Sequence, residues 1–250
     1  MGSMGDEGIE RPWLRQGEWD VRFEWGPTGV SEVPAEAVVV VDVLRFTTAV
    51  DAGVSAGATV YPYRWKDETM QRYADEVGAV LADPGALEGP SLSPVSLLLL
   101  GPDDRVVLPS PNGSTCAAVA HDAGATVYAA CLRNASAVGR WLARHHESVT
   151  VVACGERWPD GSLRPSLEDH LGAGAVLAAI GGTCSPEARA AVSVWQSARF
   201  DVAGTIAGCA SGREAIARGW AADVELACQV DASQTVPVLD HGGFVDAALR

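Results

Sequence analysis

A carboxylate and a guanidinium directly after a buried strand are the first residues whose types could do chemistry. Four valines at 38–41 precede Asp42, and Arg45 and Thr47 follow at the head of an amphipathic run. This pattern predicts a strand that is covered on both faces and a helix that begins near 45–47. Open α/β sheets bind ligands at the carboxyl ends of their strands, where helix N-termini favour anions. The stretch therefore predicts a site for an anionic ligand, with a metal ion as a further component.

The same pattern occurs a second time in the chain. The hexapeptide AGATVY stands at 56–61 and again at 123–128, an offset of 67 residues. Strand, polar turn and helix patterns align on both sides of it, and such internal repeats constrain the architecture of a fold. We expect a layered α/β/α protein with mostly parallel strands and an internal strand-turn-helix-strand duplication.

Length and repeat together predict the domain organisation. A chain of 250 residues could form one large α/β domain or two small ones. The repeat favours a single domain at 18–250, built of two similar halves at about 18–104 and 105–250. Residues 1–17 are expected to be disordered or to derive from cloning.

Composition excludes several classes of protein. With 48% hydrophobic and 20% charged residues, the chain is neither disordered nor a coiled coil, and its net charge of −14 argues against nucleic-acid and acidic-membrane partners. No apolar run approaches the roughly 18 residues of a membrane span, and the first residues lack a signal-peptide pattern. The six cysteines have no CxxC spacing, which argues against a zinc site and a disulfide framework and favours a cytoplasmic location.

Polar residues also follow the other predicted strands or open the other predicted helices. Asn112 to Thr115 supply N–H groups and hydroxyls that could hold an anion, although a turn with a Ser/Thr cap is the alternative. Glu168 and Asp169 open a helix, where Asp169 could instead pair with Ser166 in a capping box and Glu168 could complement the helix dipole. Carboxylates suit Mg²⁺, and such an assembly performs phosphoryl transfer by positioning and charge neutralisation.

Two well-known phosphatase mechanisms do not fit the sequence. A haloacid-dehalogenase-type enzyme needs a second aspartate two residues after the nucleophile, but Leu44 occupies that position. A cysteine phosphatase needs an arginine six residues after the cysteine, and the residue that far beyond Cys154 is Asp160.

Several motifs together resemble the 2-phosphosulfolactate phosphatase family of coenzyme M biosynthesis. They are VVVVDVLRFTT, SPNGS, LRNASAV, VVACGER, SLEDHLGAGAV and ASGREAIARG, in order along most of the chain. The resemblance implies an α/β/α hydrolase that uses Mg²⁺ to remove phosphate from 2-phosphosulfolactate and leave 3-sulfolactate. It also implies a small anionic substrate, and a homodimer is the expected assembly.

The leading hypothesis gives each candidate residue a role. The catalytic candidates are Asp42, Arg45 and Glu168, the metal candidates are Asp42, Glu168 and Asp169, and the substrate-binding candidates are Thr47, Asn112, Gly113, Ser114, Asn134, Arg157 and Arg213. Whether a carboxylate or a water held by the metal attacks phosphorus is left open by the sequence.

Two other hypotheses remain. The loop at 83–94, DPGALEGPSLSP, lacks the arginine and asparagine that the family usually has there, so the chain could prefer another phosphate ester or bind a phosphate or sulfonate anion without catalysis. If the polar strand ends are only caps, the candidate side chains should lie far apart in the folded protein.

Overall fold

The structure, a computed structural model, describes residues 11–65, 67–83 and 89–249. The strands are β1 (Val21–Trp25), β2 (Ala37–Val41), β3 (Thr59–Tyr63), β4 (Val80–Leu81), β5 (Arg105–Pro109), β6 (Thr126–Ala130), β7 (Val149–Ala153), β8 (Glu156–Arg157), β9 (Leu163–Arg164), β10 (Pro237–Asp240) and β11 (Gly243–Asp246). The helices are α1 (Gly26–Glu32), α2 (Phe46–Ser55), α3 (Thr69–Val77), α4 (Pro94–Leu97), α5 (Gly113–Asp122), α6 (Ala135–His145), α7 (Leu167–Ile180), α8 (Pro186–Ala198), α9 (Val202–Gly208), α10 (Ala210–Ala217) and α11 (Ala221–Ala227). Short 3₁₀ helices lie at Pro12–Arg15, Leu132–Asn134 and Ala247–Leu249.

One large sheet organises the described residues. Its strand order is β1-β7-β2-β6-β10-β11-β3-β5-β4, while β8 and β9 form a separate hairpin. The strands β1, β7, β2 and β6 are mutually parallel, as are β3, β5 and β4, and the antiparallel pair β10–β11 joins these two groups. The sheet is therefore mostly parallel, as predicted.

Helices cover both faces of the sheet. Along β2, Val39 and Val41 belong to a buried cluster with Leu171 of α7, whereas Val38 and Val40 belong to a second cluster with residues of α2 and α5. Alternate side chains of a strand point to opposite faces, so a run of valines is apolar on both sides. The layered α/β/α fold is confirmed.

The repeat corresponds to equivalent elements that exchange strands. Helices α2 and α5 span 46–55 and 113–122, and strands β3 and β6 span 59–63 and 126–130, each pair at the predicted offset. In the sheet, however, β2 pairs with β6, and β5 pairs with β3. Each parallel group thus takes one strand from each repeat, and the two halves are interleaved.

The hairpin β10–β11 connects the parallel group that contains β2 to the group that contains β5. It contacts each parallel group through one register pair, Val238 with Tyr128 and Phe244 with Val60. Counted along the pairings, β5 runs opposite to β2, yet adjacent strands twist by about −20 to −25°, which adds up to roughly 100° or more over five steps. Gly113 after β5 donates to Asp42 after β2, so the carboxyl ends of these two strands meet.

Two predicted segments extend beyond the described residues. Of the stretch 1–17, residues 1–10 are outside them, whereas Pro12–Arg15 form a 3₁₀ helix and the buried Gln16 donates to Phe23 O at 2.9 Å. Of the loop 83–94, residues 84–88 are outside them. None of the helices in the described part of the chain is both long enough and apolar enough to cross a bilayer.

Candidate active site

Asp42 is held rigidly at the carboxyl end of β2. Its Oδ1 accepts a hydrogen bond from Phe46 N at 3.2 Å, and its Oδ2 accepts one from Gly113 N at 3.0 Å. The Thr47 hydroxyl accepts from Asp42 N at 3.0 Å and donates to Asp42 O at 2.8 Å. The first turn of α2 and the first residue of α5 therefore fix the Asp42 side chain between the two repeats.

Gly113 is required at the start of α5 because the two repeats meet there. A Cβ at this position would lie 2.1 Å from Phe46 Cδ1 and 2.9 Å from Asp42 Oδ2. Only a residue without a side chain allows the backbone N–H to reach the carboxylate of Asp42. The backbone N–H of Gly113, which was predicted to bind a ligand anion, thus binds the side chain of Asp42 instead.

A cavity of about 260 Å³ opens beside Asp42. Its wall includes Asp42, Arg45, Asn112, Glu156, Ser211 and Arg218. Asn112 Nδ2 donates to Glu156 Oε2 at 3.1 Å, which ties the first residue of β8 to the start of α5. The cavity therefore has three carboxylates, with Glu214 as the third, and two guanidinium groups on a wall assembled from distant parts of the chain.

Acidic side chains raise one another's pKa in this region. Burial, followed by the charge of Glu156, raises the pKa of Asp42 to about 7, even though the N–H groups of Phe46 and Gly113 act in the opposite direction. Burial and the charge of Glu168 raise the pKa of Glu156. Since these carboxylates repel one another, a cation in the cavity would stabilise their charged forms.

Asp169 joins three segments below the cavity. Its Oδ1 accepts from Val43 N at 2.7 Å, and its Oδ2 accepts from Gly155 N at 2.9 Å and from the Ser166 hydroxyl at 2.8 Å. Burial and the charge of Glu168 raise its pKa well above the usual range. Protein donors occupy three of its roughly four acceptor positions, so Asp169 fastens the ends of β2 and β7 to α7.

Glu168 lies next to the acidic group but is not on the cavity wall. It is 1% exposed, and its Oε2 accepts from the Cys209 thiol at 3.4 Å. Its charge contributes to the raised pKa of Asp42. Within 11–65, 67–83 and 89–249, no three His, Cys, Asp or Glu side chains are arranged to hold one metal ion. The assignment of Asp42, Glu168 and Asp169 as metal ligands stays a prediction.

Arg45 reaches the cavity wall but is neutralised by the protein. Its Nη1 lies 2.5 Å from Asp223 Oδ2, and its guanidinium lies 3.8 Å from the centre of the Trp220 ring. The Ser93 hydroxyl donates to the other oxygen of Asp223. Arg45 thus connects the β2–α2 turn to α4 and α11.

Comparison with known proteins shows the family of this chain. The profile of the 2-phosphosulpholactate phosphatase family matches residues 27–242. The chain belongs to this family. It is 32% identical over 215 residues to the probable 2-phosphosulfolactate phosphatase of Thermus thermophilus, an alignment that covers 82% of this chain and 88% of the relative. It is also 32% identical over 167 residues to the protein of the same name from Symbiobacterium thermophilum, covering 62% and 68%.

Membership of the 2-phosphosulpholactate phosphatase family confirms the resemblance seen in the sequence motifs and makes the chain a member of a family of phosphoric monoester hydrolases. The family match spans both repeats and the cavity residues from Asp42 to Trp220. Because carboxylates and guanidinium groups line it, the cavity beside Asp42 is the candidate active site of this family member.

Four candidate residues of this phosphatase-family chain have structural contacts rather than a place on the cavity wall. The hydroxyls of Thr47 and Ser114 donate to backbone carbonyls. Thr47 donates to Asp42 O at 2.8 Å, and Ser114 donates to Leu108 O at 3.5 Å. Asn134 is fully buried, with its Oδ1 accepting from Cys131 N at 2.8 Å and its Nδ2 donating to Thr235 O at 3.3 Å. Gly113 contacts Asp42 as described. Each satisfies or positions the protein's own polar groups.

Two predicted arginines point elsewhere. Arg157 is exposed and donates to Gly161 O at 3.0 Å, on the wall of a neighbouring cavity of about 460 Å³ that also includes Asn112 and Glu156. Arg213 is exposed and is absent from the wall of the candidate active site. Asp42, Arg45 and Asn112 are the predicted residues that the structure brings to the cavity.

Helix α10 supplies site residues that the sequence reasoning passed over. Ser211, Glu214 and Arg218 lie on the cavity wall together with Trp220. Positions separated by three, four and seven residues share one face of a helix, whereas Arg213 lies on the opposite face. Helical periodicity counted from Ser211 would have selected Arg218 in place of Arg213.

Proposed function

We propose that this protein is a Mg²⁺-dependent phosphatase that hydrolyses 2-phosphosulfolactate to 3-sulfolactate and phosphate. The observation that carries the proposal is the rigidly held carboxylate of Asp42 on the wall of a cavity that also presents Glu156 and guanidinium groups. The names of the two relatives support the choice of substrate.

The chemistry of the cavity wall fits a magnesium ion. Asp42 and Glu156 would hold it, because both carboxylates line the cavity and each has a pKa raised by burial and by neighbouring acids. Two protein carboxylates are a common set for Mg²⁺, which completes its shell with water and substrate phosphate. When bound, the ion would withdraw charge from the phosphoryl oxygens.

The chain's own residues would bind and orient the substrate. Two backbone N–H groups fix the oxygens of Asp42, and Asn112 holds Glu156 by a hydrogen bond. Positioning of this kind accounts for much of phosphoryl-transfer catalysis, since the reaction needs little covalent chemistry from the protein. The buried acidic group would repel the anionic substrate without a cation, so substrate binding and metal binding are expected to support each other.

A phosphate-release assay tests the proposal. The purified protein is incubated with 2-phosphosulfolactate in Mg²⁺, in EDTA, and in EDTA followed by excess Mg²⁺. We expect phosphate and 3-sulfolactate in equal amounts in the first and third reactions and none in the second. Thermal stabilisation by the substrate without any phosphate release would instead indicate a non-catalytic binder. Undiminished turnover in EDTA would refute the magnesium dependence but not the phosphatase activity.

The metal-free protein is expected to lose stability as the pH rises from about 5 to 8. The pKa of Asp42 is raised from 3.8 to about 7 in the folded state, so folding favours its protonated form and this contribution is lost as the pH passes from the lower value to the higher. The pKa values of Glu156 and Asp169 are also raised and act in the same direction. Melting temperatures in EDTA should therefore fall by several degrees across this range.

Magnesium provides the control for this pH effect. Because the ion binds ionised carboxylates, the melting temperature should rise more on adding Mg²⁺ at pH 8 than at pH 6. A melting temperature in EDTA that climbs between pH 5 and 8 would contradict this prediction.

A further inference from the structure

Two arginines on the cavity wall share one tryptophan. The guanidinium of Arg45 lies 3.8 Å from the centre of the Trp220 ring, and that of Arg218 lies 5.3 Å from it. All three residues line the candidate active site. Trp220 therefore holds two guanidinium groups on the wall of a cavity that also presents Asp42, Glu156 and Glu214.

Arg45 is not available to a ligand. The side chains of Arg45 and Asp223 are 11% and 4% exposed, and Ser93 holds the second oxygen of Asp223. Removing a partner from such a buried pair leaves an uncompensated charge, so a substrate anion would have to replace Asp223 at a large energetic cost. Arg45 is thus part of the framework of the site.

Arg218 is available. Its Nη2 lies 2.5 Å from Glu214 Oε1, but the two side chains are 58% and 55% exposed. An exposed ion pair between residues four apart on a helix contributes little to stability. An oxyanion in the cavity can therefore replace Glu214, and Trp220 keeps the guanidinium plane in place by a cation–π contact.

We infer that Arg218, stacked on Trp220, binds the oxyanion at the non-phosphate end of the substrate, a sulfonate or a carboxylate, and so determines substrate specificity. This inference rests on the proposed phosphatase function. A guanidinium suits the role because it binds the paired oxygens of such groups through two parallel N–H donors. The carboxylates of Asp42 and Glu156 are left to the phosphate and its cation.

Steady-state kinetics of Arg218→Gln test the inference with three substrates. The first is 2-phosphosulfolactate, the second is 2-phospholactate, which lacks the sulfonate, and the third is the phosphate ester of 2-hydroxypropane-1-sulfonate, which lacks the carboxylate. We expect KM for 2-phosphosulfolactate to rise about 10- to 100-fold with little change in kcat, as for loss of a hydrogen bond to a charged group. The analogue that keeps the oxyanion bound by Arg218 should show the same rise in KM, and the analogue that lacks this oxyanion should show no rise in KM.

Arg213→Gln is the matched control, because Arg213 lies on the same helix and is exposed but is absent from the cavity wall. Its KM values should equal those of the wild type. Arg218→Lys retains the charge and should restore only part of the affinity, since lysine lacks the planar pair of donors. Circular dichroism melts of all variants verify folding.

The outcomes separate this inference from the function on which it rests. A rise in KM confined to substrates with one kind of oxyanion supports the role of Arg218 and identifies the group. An unchanged KM for 2-phosphosulfolactate, or equal rises for both analogues, overturns it while the wild type remains a phosphatase. A wild type that releases phosphate from none of the three refutes the proposed function itself.

Discussion

Replacing Asp42 by asparagine is expected to lower kcat for phosphate release by at least about a hundredfold, the usual effect of losing a preorganised charged group in an active site. Both oxygens of Asp42 are oriented by backbone N–H groups, from Phe46 and Gly113. Asparagine has the same size but no charge, and its amide nitrogen must face one of these two donors. The variant therefore loses the anion that the proposed mechanism needs and one of the bonds that orient it.

Folding and a control variant make the Asp42→Asn result interpretable. The lost hydrogen bond should destabilise the fold by about 1–3 kcal/mol, partly offset by removal of a buried charge, and a thermal melt measures the balance. Asp103→Asn alters an exposed aspartate and should retain full activity. Full turnover by a folded Asp42→Asn protein would remove this residue from the mechanism.

Replacing Arg45 by alanine is expected to be the most damaging change to stability, about 3–5 kcal/mol. The substitution leaves Asp223 buried at 3% exposure without its cation. It also removes the stacking on Trp220 and loosens the connection of the β2–α2 turn to α4 and α11. Urea denaturation followed by tryptophan fluorescence would measure the loss.

Two further variants test whether the buried pair is the cause. Asp223→Asn in the Arg45→Ala background should recover part of the lost stability, because the unpaired charge is removed. Arg218→Ala breaks an exposed pair with Glu214 and should change stability by less than about 1 kcal/mol. If Arg45→Ala proved as mild as Arg218→Ala, the connection through Asp223 would be unimportant for the fold.

The central elements of the fold could be predicted because their causes are local. The valines before Asp42 are apolar on both faces of a strand, and helix α2 begins at Phe46, inside the predicted 45–47 window. The repeat offset matches the spacing of α2 and α5, because both copies carry the same alternation of apolar and polar residues. Asp42 could be selected as a site residue for the same reason, since its place at a strand end is visible in the sequence.

The pairing of charges depended on tertiary structure. Arg45 and Asp223 are separated by 178 positions, and Val43 and Asp169 by 126. Local patterns show which face of an element is buried but not which distant segment covers it. The sequence therefore suggested anion binding for Arg45 and metal binding for Asp169, whereas the folded chain gives each an internal partner.

The sequence by itself determined the alternation of strands and helices, the repeat, and the placement of Asp42 at a strand end, because these follow from hydrophobic periodicity within short segments. Only the tertiary structure decided that the repeats exchange strands, that Gly113 orients Asp42, and that Arg45 pairs with Asp223. Those features arise where segments from opposite ends of the chain meet. Strand pairing and the packing of helices from distant segments, such as α10 against α7, α9 and α11, set that meeting, and neither is encoded in the spacing of neighbouring residues.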